Sequence, residues 1–471
     1  MPVDPARYRP APTTPTLGDG FFAEVEPARF PLERLRYRAK RAAAEVGLDG
    51  LTDDEWRRAF ARFEPLPDNL TRPLALAYHG HQFGQYNPAL GDGRGFVYAQ
   101  LRDGRGRLLD LGTKGSGTTP WSRDGDGRLT LKGGVREVLA AAMLEALGVE
   151  TSRPFSLYET GETLHRHDEP SPTRSSVLVR LSHSHVRFGS FQRLAHQGDR
   201  ARLATLVDFV VNHYHPDLAD SDDRVFALYR RVAVVTAALV GQWMAAGFVH
   251  GVLNTDNISI TGESFDYGPY RFLPTWDPRF VAAYFDHGGR YAFGRQLEAA
   301  LWGLMRLGEA LSPLVPFEQL RAALVDAEAQ FLRAFHRAFL RRLGLRPRAP
   351  VEDSLLVSRA TCFLGRSQLG VDRFFLDWWG GERSAPRATA SPVAALYRGD
   401  AFDAFRRALA PYEAAAPERL DGPYFRREAP VTLLYDEIEA LWAPIVRDDD
   451  WSRFDAKLAD IDLLRREGLA C

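Results

Sequence analysis

Cysteine is nearly absent from this chain: two residues in 471, Cys362 and the terminal Cys471. That density excludes a fold stapled by disulfides, and a reducing compartment is expected. Excess charge is absent too, since the net value is -1 and the pI about 6.9. Arginines are many but interleaved with Asp and Glu, so neither nucleic acid nor a membrane surface is an expected partner. Met1 to Gly20 is Pro-rich without an apolar run, so no secretory signal is expected and a cytoplasmic location is the default. The most apolar stretch, residues 224–246, is interrupted by Arg230, Arg231 and Gln242. A membrane span needs about 20 mostly apolar residues, so a buried helix ending at Gly247 is predicted instead. There is no internal repeat, no long low-complexity tract and no G-x-x-x-x-G-K-[ST] loop, which removes the P-loop reading.

What remains is a chain with 45% hydrophobic residues, enough for a large core and more than one structural unit. Residues 1–85 read as an N-terminal extension with one helix over 32–46 and an odd tract, Tyr78-His-Gly-His-Gln-Phe-Gly84. Residues 86–190 are Gly-rich and strand-like, with one helix in their middle. Residues 191–471 are mainly helical, with loops predicted at 346–350 and 384–392. Strands first and helices afterwards predict an α+β protein of two lobes, with helical extensions at both ends.

The most informative segment is His250-Gly-Val-Leu-Asn-Thr-Asp-Asn257, followed by Asp266-Tyr-Gly268. Residues 258–261 alternate, 262–264 read as a turn, and a strand–turn–strand bringing Asn257 back toward Asp266 is predicted. Mg²⁺ is hard and takes one or two carboxylates or amides plus phosphates, which makes Asn257 and Asp266 candidate metal ligands. Protein kinases order their parts similarly, with a catalytic-loop Asp and Asn followed by a D-F-G Asp. Two ordinary turns explain the same residues.

Upstream, Gly91-Asp-Gly-Arg-Gly95 opens a hairpin with strands over 96–101 and 107–113, ending at Lys114. Glycines let backbone N–H groups approach phosphate, and a following Lys adds a point charge. Gly125-Asp-Gly-Arg128 is a second such loop. Val135, Val138, Leu139, Ala142, Met143, Ala146 and Leu147 mark the next helix. Glu137 is placed in its first turn, opposite the apolar stripe, where it can pair with Lys114 or sit in solvent. Arg180 and Arg187 suit a triphosphate, although surface ion pairs are the commoner fate of Arg. Three His-x-His pairs (79/81, 165/167, 183/185) lack a third ligand at recognisable spacing, so zinc is not the preferred reading.

With Trp276-Asp-Pro278 and His287-Gly-Gly-Arg-Tyr291, these motifs resemble the selenoprotein O family of kinase-like protein adenylyltransferases, also described as pseudokinases. The similarity runs from about residue 75 to 295, and Asn254-Thr-Asp-Asn257 near Asp266-Tyr-Gly-Pro269 is its most specific part. The resemblance implies a kinase-like fold that holds ATP inverted and transfers AMP to Ser, Thr or Tyr hydroxyls of proteins, with uridylyl transfer as a further implied activity. By match of motif, Gly91, Gly93, Arg94, Lys114, Asp126, Gly127, Arg180, Arg187 and Asp266 would hold the nucleotide. Asp256 would accept the proton, and Asn257 and Asp266 would hold Mg²⁺ or Mn²⁺. The family's Cys after the Asp-Pro pair is missing from Phe280-Val-Ala-Ala-Tyr284, so a thiol switch with Cys471 is not expected, and Cys362 reads as a buried small residue. Two alternatives stay open: a conventional phosphotransferase, and a non-catalytic nucleotide-binding scaffold.

Overall fold

A computed structural model describes residues 3–468. The strands, in chain order, are Phe22–Glu24 (β1), Arg34–Arg38 (β2), Leu74–Leu76 (β3), Gly80–Gln82 (β4), Gln85–Asn87 (β5), Val97–Arg102 (β6), Leu108–Lys114 (β7), Leu129–Thr130 (β8), Arg153–Leu164 (β9) and Thr173–Ser182 (β10). Eight of them form one antiparallel sheet in the order β1-β3-β6-β7-β10-β9-β2, with β8 also on β10, while β4 and β5 form a separate hairpin. The predicted strand pair around Asp103-Gly104 is present as β6 and β7. Asp103 closes that turn, its carboxylate accepting from the backbone N–H of Arg105 and Arg107, both at 2.9 Å.

The helix predicted over 32–46 is instead β2 followed by the short helix Lys40–Glu45 (α1). Tertiary pairing overrides local pattern here: β2 lies along β9 with Arg34 opposite Glu159 and Arg38 opposite Ser156, and Arg36 bonds Glu159 at 2.5 Å. Asp53–Phe60 (α2) begins with a capping box of Thr52 and Glu55. It covers one face of the sheet, where Trp56 and Phe60 pack with Tyr98, Leu109, Leu111 and Phe155. Leu131–Ala146 (α3) covers the other face, its N-terminus capped by the Thr130 hydroxyl.

After β10 the chain is mostly helical: Phe188–His196 (α4), Arg200–Tyr214 (α5), Arg224–Ala246 (α6), Gln296–Leu311 (α7), Phe317–Ala322 (α8), Val325–Arg342 (α9), Pro350–Ser367 (α10), Val371–Trp378 (α11), Ala385–Ala390 (α12), Asp400–Leu409 (α13), Tyr435–Asp448 (α14) and Ser452–Glu467 (α15). The loop predicted over 384–392 is largely α12, because its proline falls in the first turn, where a missing N–H costs nothing. α6 spans the predicted bounds, with Asp223 accepting from Phe226 N–H at one end and left-handed Gly247 at the other. By length and composition it is the one described helix able to cross a membrane. In this fold Leu228, Val232, Val240 and Trp243 of α6 are buried in two core clusters.

Candidate active site

Strand register begins the assembly. β7 and β10 pair with Lys114 opposite Leu178 and Gly112 opposite Arg180. Opposed residues share a face, so Lys114 and Arg180 are diagonal neighbours on the side covered by α3. α3 sits close to the sheet at Gly134, where a Cβ would lie 2.5 Å from Leu157 Cδ1 and 2.8 Å from Ser176 Oγ. That closeness brings Glu137 onto Lys114, whose Nζ donates to Glu137 Oε1 at 2.5 Å and to Asp266 Oδ1 at 2.6 Å. The expected pairing of Glu137 with Lys114 is present, but Glu137 lies in the second turn rather than the first and is only 3% exposed. Both sides of α3 are covered, so no face was left for a solvated Glu. Arg180 Nη1 completes the cluster at 3.5 Å from Asp266 and 3.9 Å from Glu137.

The segment after α6 differs in form from the predicted strand–turn–strand. Phe248–Val249 (β11) pairs with Arg271–Phe272 (β12), and Thr255–Asn257 is a single 3-10 turn. Ser259 bridges to Arg187 and Ser264 to Thr151, so the two arms pair with other parts of the chain rather than with each other. Asn257 and Asp266 nevertheless meet, Asn257 Nδ2 lying 3.4 Å from Asp266 Oδ2. Asp266 adopts φ 65°, a left-handed conformation that Asp tolerates at some cost. His250 is fully buried, and its Nε2–H donates to the Phe265 carbonyl at 3.0 Å, binding the two arms together. Burial holds the His250 pKa below its ordinary value, which suits this neutral role.

Two carboxylates titrate in opposite directions. Burial pushes Asp256 up to about 6 against the pull of Arg187. For Asp266, burial is outweighed by Lys114, Arg180 and Arg187, which hold it well below the usual carboxylate range. Asp256 Oδ1 has no hydrogen-bond partner, nor do Nε and Nη1 of buried Arg180. Arg187 donates to the Asp256 carbonyl at 3.2 Å, pairs with Asp92 at 3.3 Å and stacks on Tyr78 at 4.3 Å.

Gly91, Gly93, Arg94, Asp126, Gly127 and Asp256 line one cleft that opens broadly to solvent. Lys114, Arg180, Arg187, Asn257 and Asp266 do not line it; they adjoin it through Asp256 and its neighbours. Asp126 is engaged by Arg166 at 2.9 Å, which keeps its pKa low although burial opposes this. Sequence reasoning missed Asp92, Trp121 and Arg166. It noted the tract at 78–84 without assigning it a role. That tract holds β4 and the turn of the β4–β5 hairpin, and it docks on the loop before Asp256. His81 N–H donates to Thr255 Oγ1 at 2.7 Å and Phe83 N–H to Asn254 Oδ1 at 3.0 Å. Gly80 permits the contact, since a Cβ there would be 3.2 Å from Asp256 Oδ1. The His-x-His residues have other duties: His79 bonds Tyr86 at 2.7 Å, His81 bonds Gln192 at 2.8 Å and His185 faces Asp110 at 3.3 Å. Among the described residues no three His, Cys, Asp or Glu gather as a metal cluster.

The family profile described as "Protein adenylyltransferase SelO" matches residues 6–462. The chain belongs to the SelO family of protein adenylyltransferases. Among the proteins similar to this SelO chain are two named "Protein nucleotidyltransferase YdiU". The one from Synechocystis sp. is 46% identical over 467 residues, covering 94% of this chain and 95% of its own. That from Gloeobacter violaceus is 46% identical over 456 residues, covering 94% and 92%. A third of the same name, from Vibrio cholerae, is 40% identical over 331 residues. In this SelO chain Cys362 is exposed rather than buried. The inward side of α10 is taken by Leu356, Val357, Ala360, Phe363 and Leu364, and position 362 falls opposite them. Cys471 lies outside the described residues.

Proposed function

We propose that this chain transfers AMP from ATP to a Ser, Thr or Tyr hydroxyl of an acceptor protein, within a kinase-like arrangement of a sheet lobe and a helical lobe. The hydroxyl oxygen bonds to the α-phosphorus, the bridging oxygen leaves with pyrophosphate, and the proton passes to Asp256 Oδ1. The observation that carries this reading is the set of orphaned polar atoms in the cleft, at Asp256, and in the charged cluster adjoining it, at Arg180. Arg180 presents two buried nitrogens without a hydrogen bond, one of them in loose ion contact with Asp266, and Asp256 presents an unpartnered oxygen. A buried unpaired polar atom costs about 1–3 kcal/mol; phosphate oxygens would satisfy the first set and a hydroxyl the second. A base near neutrality is also suited to accept a proton, and Asp256 at about 6 meets that condition.

Asn257 and Asp266 fit Mg²⁺ or Mn²⁺. Turning the Asn257 amide over sets a carbonyl oxygen beside Asp266 Oδ2, the kind of oxygen pair that a hard cation shares with phosphates. The ion would neutralise charge on the phosphate oxygens. Lys114, aligned by Glu137, and Arg180 add fixed positive charge there. The Lys114–Glu137 pair also suits conventional γ-phosphate transfer, the second reading.

Intact-mass and peptide mass spectrometry after incubation with ATP and Mg²⁺ or Mn²⁺ separates the two. The expected product is AMP on a hydroxyl, lost in Asp266→Ala. An added phosphate would put the conventional kinase first, and no modification of any acceptor would favour the scaffold.

A further inference from the structure

An aromatic surface opens beside Asp256 that the chemistry above does not use. Phe83 is 40% exposed, Phe285 40% and Tyr284 75%. The rings form a connected chain: Phe83 to Phe285 is 5.7 Å between centroids, and Phe285 to Tyr284 is 5.0 Å. Single exposed apolar residues are ordinary; a contiguous group beside a reaction centre is a mark of an interaction surface.

Phe83 also has φ 51°, a backbone region that bulky residues rarely enter. It is held there by Asn254 Oδ1, which accepts its N–H, and by the Tyr291 ring at 5.2 Å. Strain of this kind persists only where the surroundings impose it. What it achieves is to present the Phe83 ring at the surface. The residue that holds it, Asn254, is two positions from Asp256, and Gln82 lines the cleft together with Asp256. The surface is thus continuous with the rim at which a proton would be taken.

Resting on the adenylyl-transfer reading, we propose that Phe83, Tyr284 and Phe285 dock the acceptor protein, taking a bulky apolar side chain that flanks the modified hydroxyl. The cleft and the aromatic surface outside its rim differ in chemistry. The glycine-loop side carries Arg94, Arg123, Asp124 and Asp126 and suits a charged nucleotide, whereas the exposed rings of Phe83, Tyr284 and Phe285 offer apolar area, with Arg290 beside Gly84 the nearest cation. With the nucleotide in the cleft, an acceptor hydroxyl brought to Asp256 places its flanking residues near the Gln82–Phe83 side of the rim. Phe and Tyr also give large contact area with few rotatable bonds, which is why interfaces favour them.

The test uses peptides with one Ser, Thr or Tyr and a flanking position set in turn to Phe, Leu, Ala, Lys or Asp. Binding would be followed by fluorescence anisotropy to the full chain with α,β-methylene-ATP and Mn²⁺. Wild type and the double variant Tyr284→Ser/Phe285→Ser would be compared, with Tyr284→Lys as a second variant. Wild type should bind Phe- or Leu-flanked peptides about tenfold more tightly than Ala-flanked ones, the worth of one aromatic anchor. Both variants should lose that preference while binding the nucleotide as wild type does. A flat preference in wild type, or one that the variants keep, overturns the docking surface. AMP transfer to the same peptides is scored separately: selective binding without any transfer overturns the reaction and leaves the surface standing. Transfer with equal KM in wild type and variants does the reverse.

Discussion

The Asp256 carboxyl is 9% exposed and one of its oxygens has no partner, a state the fold tolerates at a cost in stability. The folded pKa of about 6 lies above the ordinary value of 3.8, so the group is protonated below that pH and ionised above it. Only the ionised form can accept a proton. The rate of AMP transfer should therefore fall as pH drops through about 6, while Asp266, held low by its cations, stays ionised across that window. Asp256→Asn should lose this limb and about 10²–10⁴ in kcat, the range of a general base, with nucleotide affinity largely kept. A pH–rate profile and a nucleotide titration check both; a wild-type limb absent near pH 6 would remove Asp256 from the proton path.

At the scale of elements, α3 carries the alignment of Lys114. Its distance from the sheet is set at Gly134, and Gly134→Val would push against Leu157 and Ser176. Lifting the helix draws Glu137 off Lys114, and nucleotide affinity should fall by about tenfold, or 1.4 kcal/mol. Gly134→Ala should lie between wild type and Val in the same titration. An unchanged affinity in Gly134→Val would show that Glu137 does not position Lys114. Some elements were legible because local signals agreed. α6 has a long apolar run with an Asp cap and a Gly stop, and β6 and β7 flank Asp103-Gly104 with apolar runs. β2 was not legible, because Arg34 to Arg38 becomes a strand only when β9 offers an edge.

Across the whole molecule, the C-terminal helices back the site from far away in sequence. Ile445, Phe454 and Leu464 share a core cluster with Val138, Leu139 and Met143 of α3. At the sheet edge, Asp449 joins Arg36 and Arg174, each at 2.7 Å. Phe454 is fully buried, so Phe454→Ala should cost about 3–5 kcal/mol through lost contact and the cavity left behind. Thermal unfolding followed by circular dichroism should show a Tm lower by several degrees. If Tm were unchanged, the packing of the C-terminal helices on α3 would be misassigned.

Residue chemistry and short-range pattern, from the sequence, singled out Asp256, Asn257, Asp266, Lys114 and the glycine loops as candidates, since turns, caps and strand pairs are encoded within a few residues of one another. The family was likewise legible in the string from Asn254 to Asn257 and in Asp266 to Pro269. Only the tertiary structure decided which charges meet. That Glu137 turns inward depends on α3 being covered on both sides. That Asp256 rises depends on its burial, and that Asp266 falls depends on cations delivered by β7, β10 and the segment leading into α4. The docking of residues 78–84 on the loop before Asp256 joins positions some 170 apart, with hydrogen bonds whose partners no local pattern announces. Burial and long-range pairing are properties of the assembled chain, and it is they that set the electrostatics of this site.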